Sequence, residues 1–146
     1  MTSSMPAAAQ RAAQIIHDEA GRMNRMVQEL LDLAKIEAGR MELVPKDFLF
    51  APFIRTVVNL SRVRADQKKL AFHHESSGRA LHTVHADEKR LTQVLLNLLS
   101  NAVKFTSTGK ITVGLRVLSQ TAETLLLRFE VSDTGIGISP KVHQHI

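Results

Sequence analysis

The sequence predicts an α+β fold: one long helix, then a domain in which helices cover one face of a mixed sheet. Three observations predict it. Ile16, Ala20, Met23, Val27, Leu30 and Ala34 step by four and three over the first quarter of the chain, the spacing of a helical seam. A strongly amphipathic stretch opens at Asp87 and runs to about Phe105. Two alternating apolar runs, 111–118 and 125–132, follow it and read as strands. Helices interleaved with strands of this kind form an α/β sandwich.

In order, residues from about Ala8 to Met41 read as one helix, with Met26, Leu31 and Leu33 widening its apolar stripe. Gly39 is the expected stop, and Pro45 prevents continuation. Such a stripe must be buried, either against a helical partner or against the chain's own second part. Asp47 to Phe50 is a candidate short strand. Phe53, Val57, Leu60 and Val63 recur at helical spacing, which predicts a helix over about 51–65. Leu70 to Glu75 and Leu81 to His85 read as strands divided by a Ser76-Ser77-Gly78 turn. Asp87 is a good N-cap for the next helix, whose core face is expected at Leu91, Val94, Leu95, Leu98 and Leu99. Thr106 to Gly109 close it. In the final hairpin, Ile111, Val113, Leu115 and Val117 alternate inward, as do Leu125, Leu127, Phe129 and Val131. The expected division is 1–44 for the helical part and 45–146 for the sandwich.

Composition narrows the function. With no cysteine, disulfides, thiol catalysis and thiolate metal sites are excluded. No apolar run approaches the roughly 18 residues of a membrane span, and no signal peptide opens the chain, so the features fit a cytoplasmic location. The net charge of +5 is uneven: residues 1–45 hold five basic and six acidic residues, and the other fourteen basic and eight acidic residues follow. A basic second part suits a polyphosphate ligand or simply a solvated surface. Six Phe with no Tyr or Trp provide few stacking platforms, which argues against a nucleic-acid partner.

Two stretches carry chemistry. In Asn97-Leu98-Leu99-Ser100-Asn101-Ala102-Val103-Lys104-Phe105, the residues Asn97, Asn101 and Lys104 fall within about 60° of one another on a helix. Amide oxygens are hard ligands suited to Mg²⁺, and an ammonium neutralises phosphate. The bland alternative is the polar side of an amphipathic helix. In Asp133-Thr134-Gly135-Ile136-Gly137-Ile138, a carboxylate at a strand end can accept hydrogen bonds from an amino group. Gly135 and Gly137 remove side chains where backbone must turn or approach a flat ligand. The spacing is neither that of a P-loop nor that of a dinucleotide fold.

These residues resemble the sensor histidine kinases of two-component signal transduction. Residues 97–106 resemble their N box, and Asp133 to Ile138 their first glycine box, in the same order and separated by a β-hairpin. Arg25 to Gly39 resembles the end of the second helix of their dimerisation and phosphotransfer domain. The resemblance runs from about Gln10 to Ile146 and implies a Bergerat-type ATP-binding sandwich behind a dimerisation helix. By that resemblance Asn101, helped by Asn97, holds the Mg²⁺ that bridges the ATP phosphates. Lys104 contacts phosphate, Phe105 packs near the adenine, Asp133 reads its amino group, and Gly135 and Gly137 shape the pocket. It also implies a homodimer through residues 8–41 and a response-regulator receiver domain as the partner of a longer parent protein in a phosphorelay. Asn97 stands where the hydrolytic relatives carry a water-activating Glu, and an amide is no general base.

No phosphoacceptor motif like His-Glu-Leu-Arg-Thr-Pro is present, so no catalytic residue is assigned. His17 is a near match without the Thr-Pro ending and reads as an exposed helix histidine. The pairs His73-His74, His82 with His85, and His143 with His145 give no convincing zinc set. The family's ATP lid and second glycine box are expected beyond Ile146, so these residues alone are expected to bind ATP weakly or not at all. Two other readings stay open: a non-catalytic interaction module built on the first helix, and a Bergerat-fold ATPase, which Asn97 disfavours.

Overall fold

The computed structural model describes residues 6–77, 82–121 and 123–139. The chain divides into two compact units, the first ending at Leu43 and the second beginning at Val44.

The first unit is helix α1, Ala7–Glu37. It ends because Gly39 takes a left-handed φ of 65°. The Arg40 N–H then reaches back to the Lys35 carbonyl at 2.8 Å, and the Gly39 N–H reaches the Ile36 carbonyl at 3.0 Å. That pair of bonds is a Schellman cap, so the helix stops four residues before the expected Met41. The seam residues Ile16, Met23, Val27 and Leu30 are all more than half exposed.

The second unit runs β1 (Lys46–Leu49), α2 (Phe50–Gln67), β2 (Ala71–Ser77), β3 (Thr83–Ala86), α3 (Glu88–Phe105), β4 (Lys110–Gln120) and β5 (Leu125–Asp133). Strands β2, β4 and β5 form one mixed sheet, with β2 parallel and β5 antiparallel to β4. The strands β1 and β3 pair separately as an antiparallel ribbon. Of the turn expected at Ser76-Ser77-Gly78, Ser76 and Ser77 belong instead to β2, and Gly78 lies outside the described residues.

One face of the mixed sheet carries Ile111, Val113 and Leu115, all buried, and α2 and α3 cover it. From α2 come Phe50, Phe53, Ile54, Val57, Val58 and Ala65; from α3 come Leu95, Leu99, Ala102 and Val103. The expected core face of α3 needs correction. Leu95 and Leu99 are buried and Leu91 is partly buried, but Val94 is 56% exposed and Leu98 47% exposed. The buried stripe is 95, 99, 102 and 103, because the helix presents its small Ala102 and Val103 to the core, which turns Val94 and Leu98 away.

The helix ends differ in chemistry. The Asp87 carboxylate caps α3 by accepting the Arg90 N–H at 3.0 Å through Oδ1, and its Oδ2 accepts the Val44 N–H at 2.9 Å. At the end of α2, Lys69 sits at φ 59°. The Leu70 N–H returns to the Ala65 carbonyl and the Lys69 N–H to that of Asp66, at 3.0 and 2.9 Å. This is a second Schellman cap, with lysine where glycine is the usual choice.

Candidate functional site

The site lies where the last turn of α3 meets the loop that follows β5. The hairpin carries the chain back so that Asp133, the final residue of β5, pairs with Ile111 near the start of β4. Thr134 extends that ladder: its N–H donates to the Lys110 carbonyl at 3.2 Å, and its Oγ1 accepts the Lys110 N–H at 3.0 Å.

Asp133 is then fixed by its neighbours. Its Oδ1 accepts the Gly135 N–H at 2.8 Å and the hydroxyl of Thr106 at 3.4 Å. Thr106 is fully buried, so that hydroxyl has a definite partner rather than water. Among the described residues Oδ2 makes no hydrogen bond, which leaves one carboxylate oxygen for a ligand. Loop and helix also join through the backbone, with the Ile136 N–H donating to the Phe105 carbonyl at 3.4 Å.

The approach is close enough to dictate residue 135. A Cβ there would lie 2.7 Å from Asp133 Oδ1 and 2.9 Å from the Phe105 carbonyl carbon, with that carbonyl's oxygen closer still. Gly137 is required for a different reason, a φ of 67° in open space.

Between helix and loop lies an open, largely apolar cavity of about 460 Å³. Asn101, Phe105, Asp133 and Gly137 line it, together with Leu98, Ala102, Val131, Ile136, Ile138 and Ser139. Four of the seven sequence-predicted site residues therefore meet at one cavity, with Asn101 and Asp133 on its two sides. Asn97, Lys104 and Gly135 do not line it. Asn97 and Lys104 are exposed on α3, and the Lys104 ammonium sits 4.9 Å from the centre of the Phe105 ring, a cation–π distance. Gly135 acts from behind, as the spacer between loop and helix.

The sequence reading assigned no site role to Leu98, Thr106, Val131, Ile136 or Ile138. The leucine pattern places Leu98 in the core, and Thr106 reads as a helix end and as the last residue of the 97–106 stretch, with no role of its own. The alternation of β5 already placed Val131 inward, and Ile136 and Ile138 stand inside the Asp-Thr-Gly-x-Gly stretch as apolar residues in a turn. That was an available sign of an apolar ligand face.

A larger hollow of about 690 Å³ lies beside β3 and the far end of the hairpin and includes His82 and His85. His85 Nδ1 is 2.7 Å from Asp47 Oδ1 across the β1–β3 ribbon. Among the described residues no group of three or more His, Asp or Glu is placed to hold a metal ion. His143 and His145 lie outside the described residues.

The description of the histidine kinase-, DNA gyrase B-, and HSP90-like ATPases matches residues 86–146. The chain is 36% identical over 138 residues to the aerobic respiration control sensor protein ArcB of Escherichia coli (strain K12), covering 94% of this chain and 17% of that protein. It is 38% identical over 115 residues to the autoinducer 2 sensor kinase/phosphatase LuxQ of Vibrio vulnificus (strain YJ016), covering 77% of this chain and 13% of that protein. The chain thus spans less than a fifth of the length of these curated relatives. Among solved structures, full-length ShkA in complex with AMPPNP matches with a TM-score of 0.73 and 29% identity, covering 96% of this chain and 29% of that one. The histidine kinase ThkA in complex with the response regulator TrrA matches with a TM-score of 0.64 and 25% identity, covering 98% of this chain and 40% of that one.

Proposed function

The chain is a histidine kinase ATPase-type domain segment of the two-component sensor kinases, and on that premise we propose that its cavity is the adenine end of a Mg·ATP site. The observation that carries the proposal is the shared cavity of Asn101 and Asp133. Asp133 Oδ2 accepts a hydrogen bond from the adenine amino group, held in orientation by Gly135 N–H and Thr106 on its other oxygen. Phe105, Leu98, Ile136 and Ile138 provide the apolar walls for the ring.

Asn101 points the site toward the phosphates. The donor set fits Mg²⁺: an amide oxygen suits a hard cation that takes few protein ligands and completes its shell with phosphate and water. Asn101, with Asn97 one turn away on the same helix, would hold the ion, which would neutralise phosphate charge. Lys104, beside the Phe105 ring, would contact phosphate. For phosphoryl transfer these residues contribute placement and charge neutralisation, and the choice of Asn97 over a carboxylate favours transfer over hydrolysis. In the longer protein the acceptor is a histidine, and a response regulator then receives the phosphate; the ThkA structure holds such a regulator.

With the two units divided between Leu43 and Val44, one residue before the expected boundary, α1 serves as a dimerisation helix. Its exposed seam supports a homodimer, since a stripe of that length is poorly tolerated in water. Among the described residues no helix is long and apolar enough to cross a membrane.

Calorimetric titration with Mg·ATP tests the site. Binding is expected to weaken at least tenfold in Asp133→Asn and to lose its magnesium dependence in Asn101→Ala. Binding that is indifferent to both substitutions would overturn the assignment. Sedimentation tests the dimer: a folded, strictly monomeric chain refutes the role given to α1.

A further inference from the structure

The last turn of α3 shows how the cavity is held open in the right shape. The final carbonyls of a helix need donors from outside its ladder. α1 and α2 find them in Schellman caps. α3 does not, because Thr106 leaves the helix directly in an extended conformation, φ −100° and ψ 120°. The Thr106 N–H still reaches the Ala102 carbonyl at 3.1 Å, and Ile136 N–H reaches that of Phe105. The Val103 and Lys104 carbonyls between them are taken by one side chain: Lys68 Nζ donates to both, at 2.7 and 3.1 Å.

Lys68 is the C-cap residue of α2, so its backbone is set by the turn that forces Lys69 left-handed. A rigid helix end thus presents a cation to the negative end of another helix. Phe105, the next residue, lines the cavity, and its carbonyl carries the bond to the Asp133–Gly137 loop. The two clamps act on adjacent peptides of one turn. A lysine in the last turn of a helix can cap its own carbonyls, but here Lys68 holds them and Lys104 lies beside the Phe105 ring.

We propose that Lys68 is a positioning residue for the nucleotide cavity, fixing the last turn of α3 and so the placement of Asn101 and Phe105 against the Asp133 loop. The cavity's ligand rests on the nucleotide reading above; the clamp itself does not. Lys68 does not line the cavity, so the role predicts rescue by another cation rather than by a residue of equal bulk.

The test compares the full chain with Lys68→Met and Lys68→Arg. Without ligand, the amide exchange of Ile136 is measured by NMR well below the unfolding temperature. Lys68→Met is expected to exchange several-fold faster there, with the core amides of β4 unchanged, and Lys68→Arg to restore protection. With Mg·ATP, Lys68→Met is expected to bind five- to tenfold more weakly, and Lys68→Arg within twofold of the unaltered chain. Exchange and affinity that match the unaltered chain in Lys68→Met overturn the proposal. So does a lower melting temperature with unchanged Ile136 exchange, which is the signature of a merely structural lysine. If the unaltered chain binds nucleotide too weakly to measure, Ile136 exchange alone decides for or against the clamp, whatever becomes of the nucleotide reading.

Discussion

Gly135→Ala is the substitution for which the geometry gives the sharpest expectation. The added Cβ starts 2.7 Å from Asp133 Oδ1 and 2.9 Å from the Phe105 carbonyl carbon, whereas comfortable contact needs roughly 3.5 Å. Relief from the Phe105 carbonyl oxygen, the nearest atom, requires the loop to move off the helix by about 1 Å. The Ile136–Phe105 bond is already 3.4 Å long and does not survive that movement. The bond from Gly135 N–H to Asp133 is strained with it. Overpacking of this kind costs about 1–3 kcal/mol, and a lost backbone hydrogen bond adds about 1 kcal/mol, so a destabilisation of about 3 kcal/mol is expected. Two other glycines separate sterics from backbone preference. Gly137→Ala meets nothing within 4 Å but keeps a φ of 67°, for a cost of about 1 kcal/mol. Gly114→Ala meets Glu130 Cβ at an ordinary 3.5 Å and should stabilise slightly, by up to about 0.5 kcal/mol. Urea denaturation with a shared slope measures all three. A Gly135→Ala midpoint within about 0.5 kcal/mol of Gly137→Ala, on that linear scale, would refute the close approach of loop and helix.

Two further outcomes follow from the helix ends. Lys69→Gly relieves a left-handed lysine at a Schellman position and should stabilise the second unit by up to about 1 kcal/mol, a rise of several degrees in melting temperature; a fall would mean that the lysine side chain contributes more than its backbone costs. Asp87 is held below the ordinary carboxylate range chiefly by the Val44 N–H and then by the Arg90 N–H, so the fold favours its ionised form. Its contribution is therefore complete above an unfolded value of roughly 3.9 and is lost as pH falls through the lower folded value. As pH falls below about 4, the unaltered chain should lose thermal stability more steeply than Asp87→Asn, and parallel curves would remove Asp87 from the account.

What the sequence made legible was local chemistry. Asp87 was recognisable as a cap because the donor it serves is three residues away, and the start and end of α3 followed from that cap and from the turn residues after Phe105. The alternation of Ile111, Val113 and Leu115 named the buried face of β4 because strand period and burial are the same fact. The paired motifs also named Asn101 and Asp133, and the fold does bring both to one cavity. The misreading of Val94 and Leu98 shows where this stops: hydrophobicity ranks leucine above alanine, but close packing selected Ala102 and Val103 for the core. Leu98 then became part of the cavity wall.

Long-range polar contacts were illegible for a more basic reason. Lysine at position 68 looks like any solvated helix end, and its acceptors lie 35 and 36 residues away on another helix. Thr106 looks like a helix terminator, yet its hydroxyl meets a carboxylate 27 residues on. The separate pairing of β1 with β3, and of β2 with β4, is equally non-local, since each strand alone reads the same in either partnership. The motif residues name groups that line the cavity, while the residues that hold those groups in place carry no motif because their partners are set only by the fold. Substitutions at Lys68 and Thr106 should accordingly change the proposed nucleotide affinity without Asn101 or Asp133 being altered.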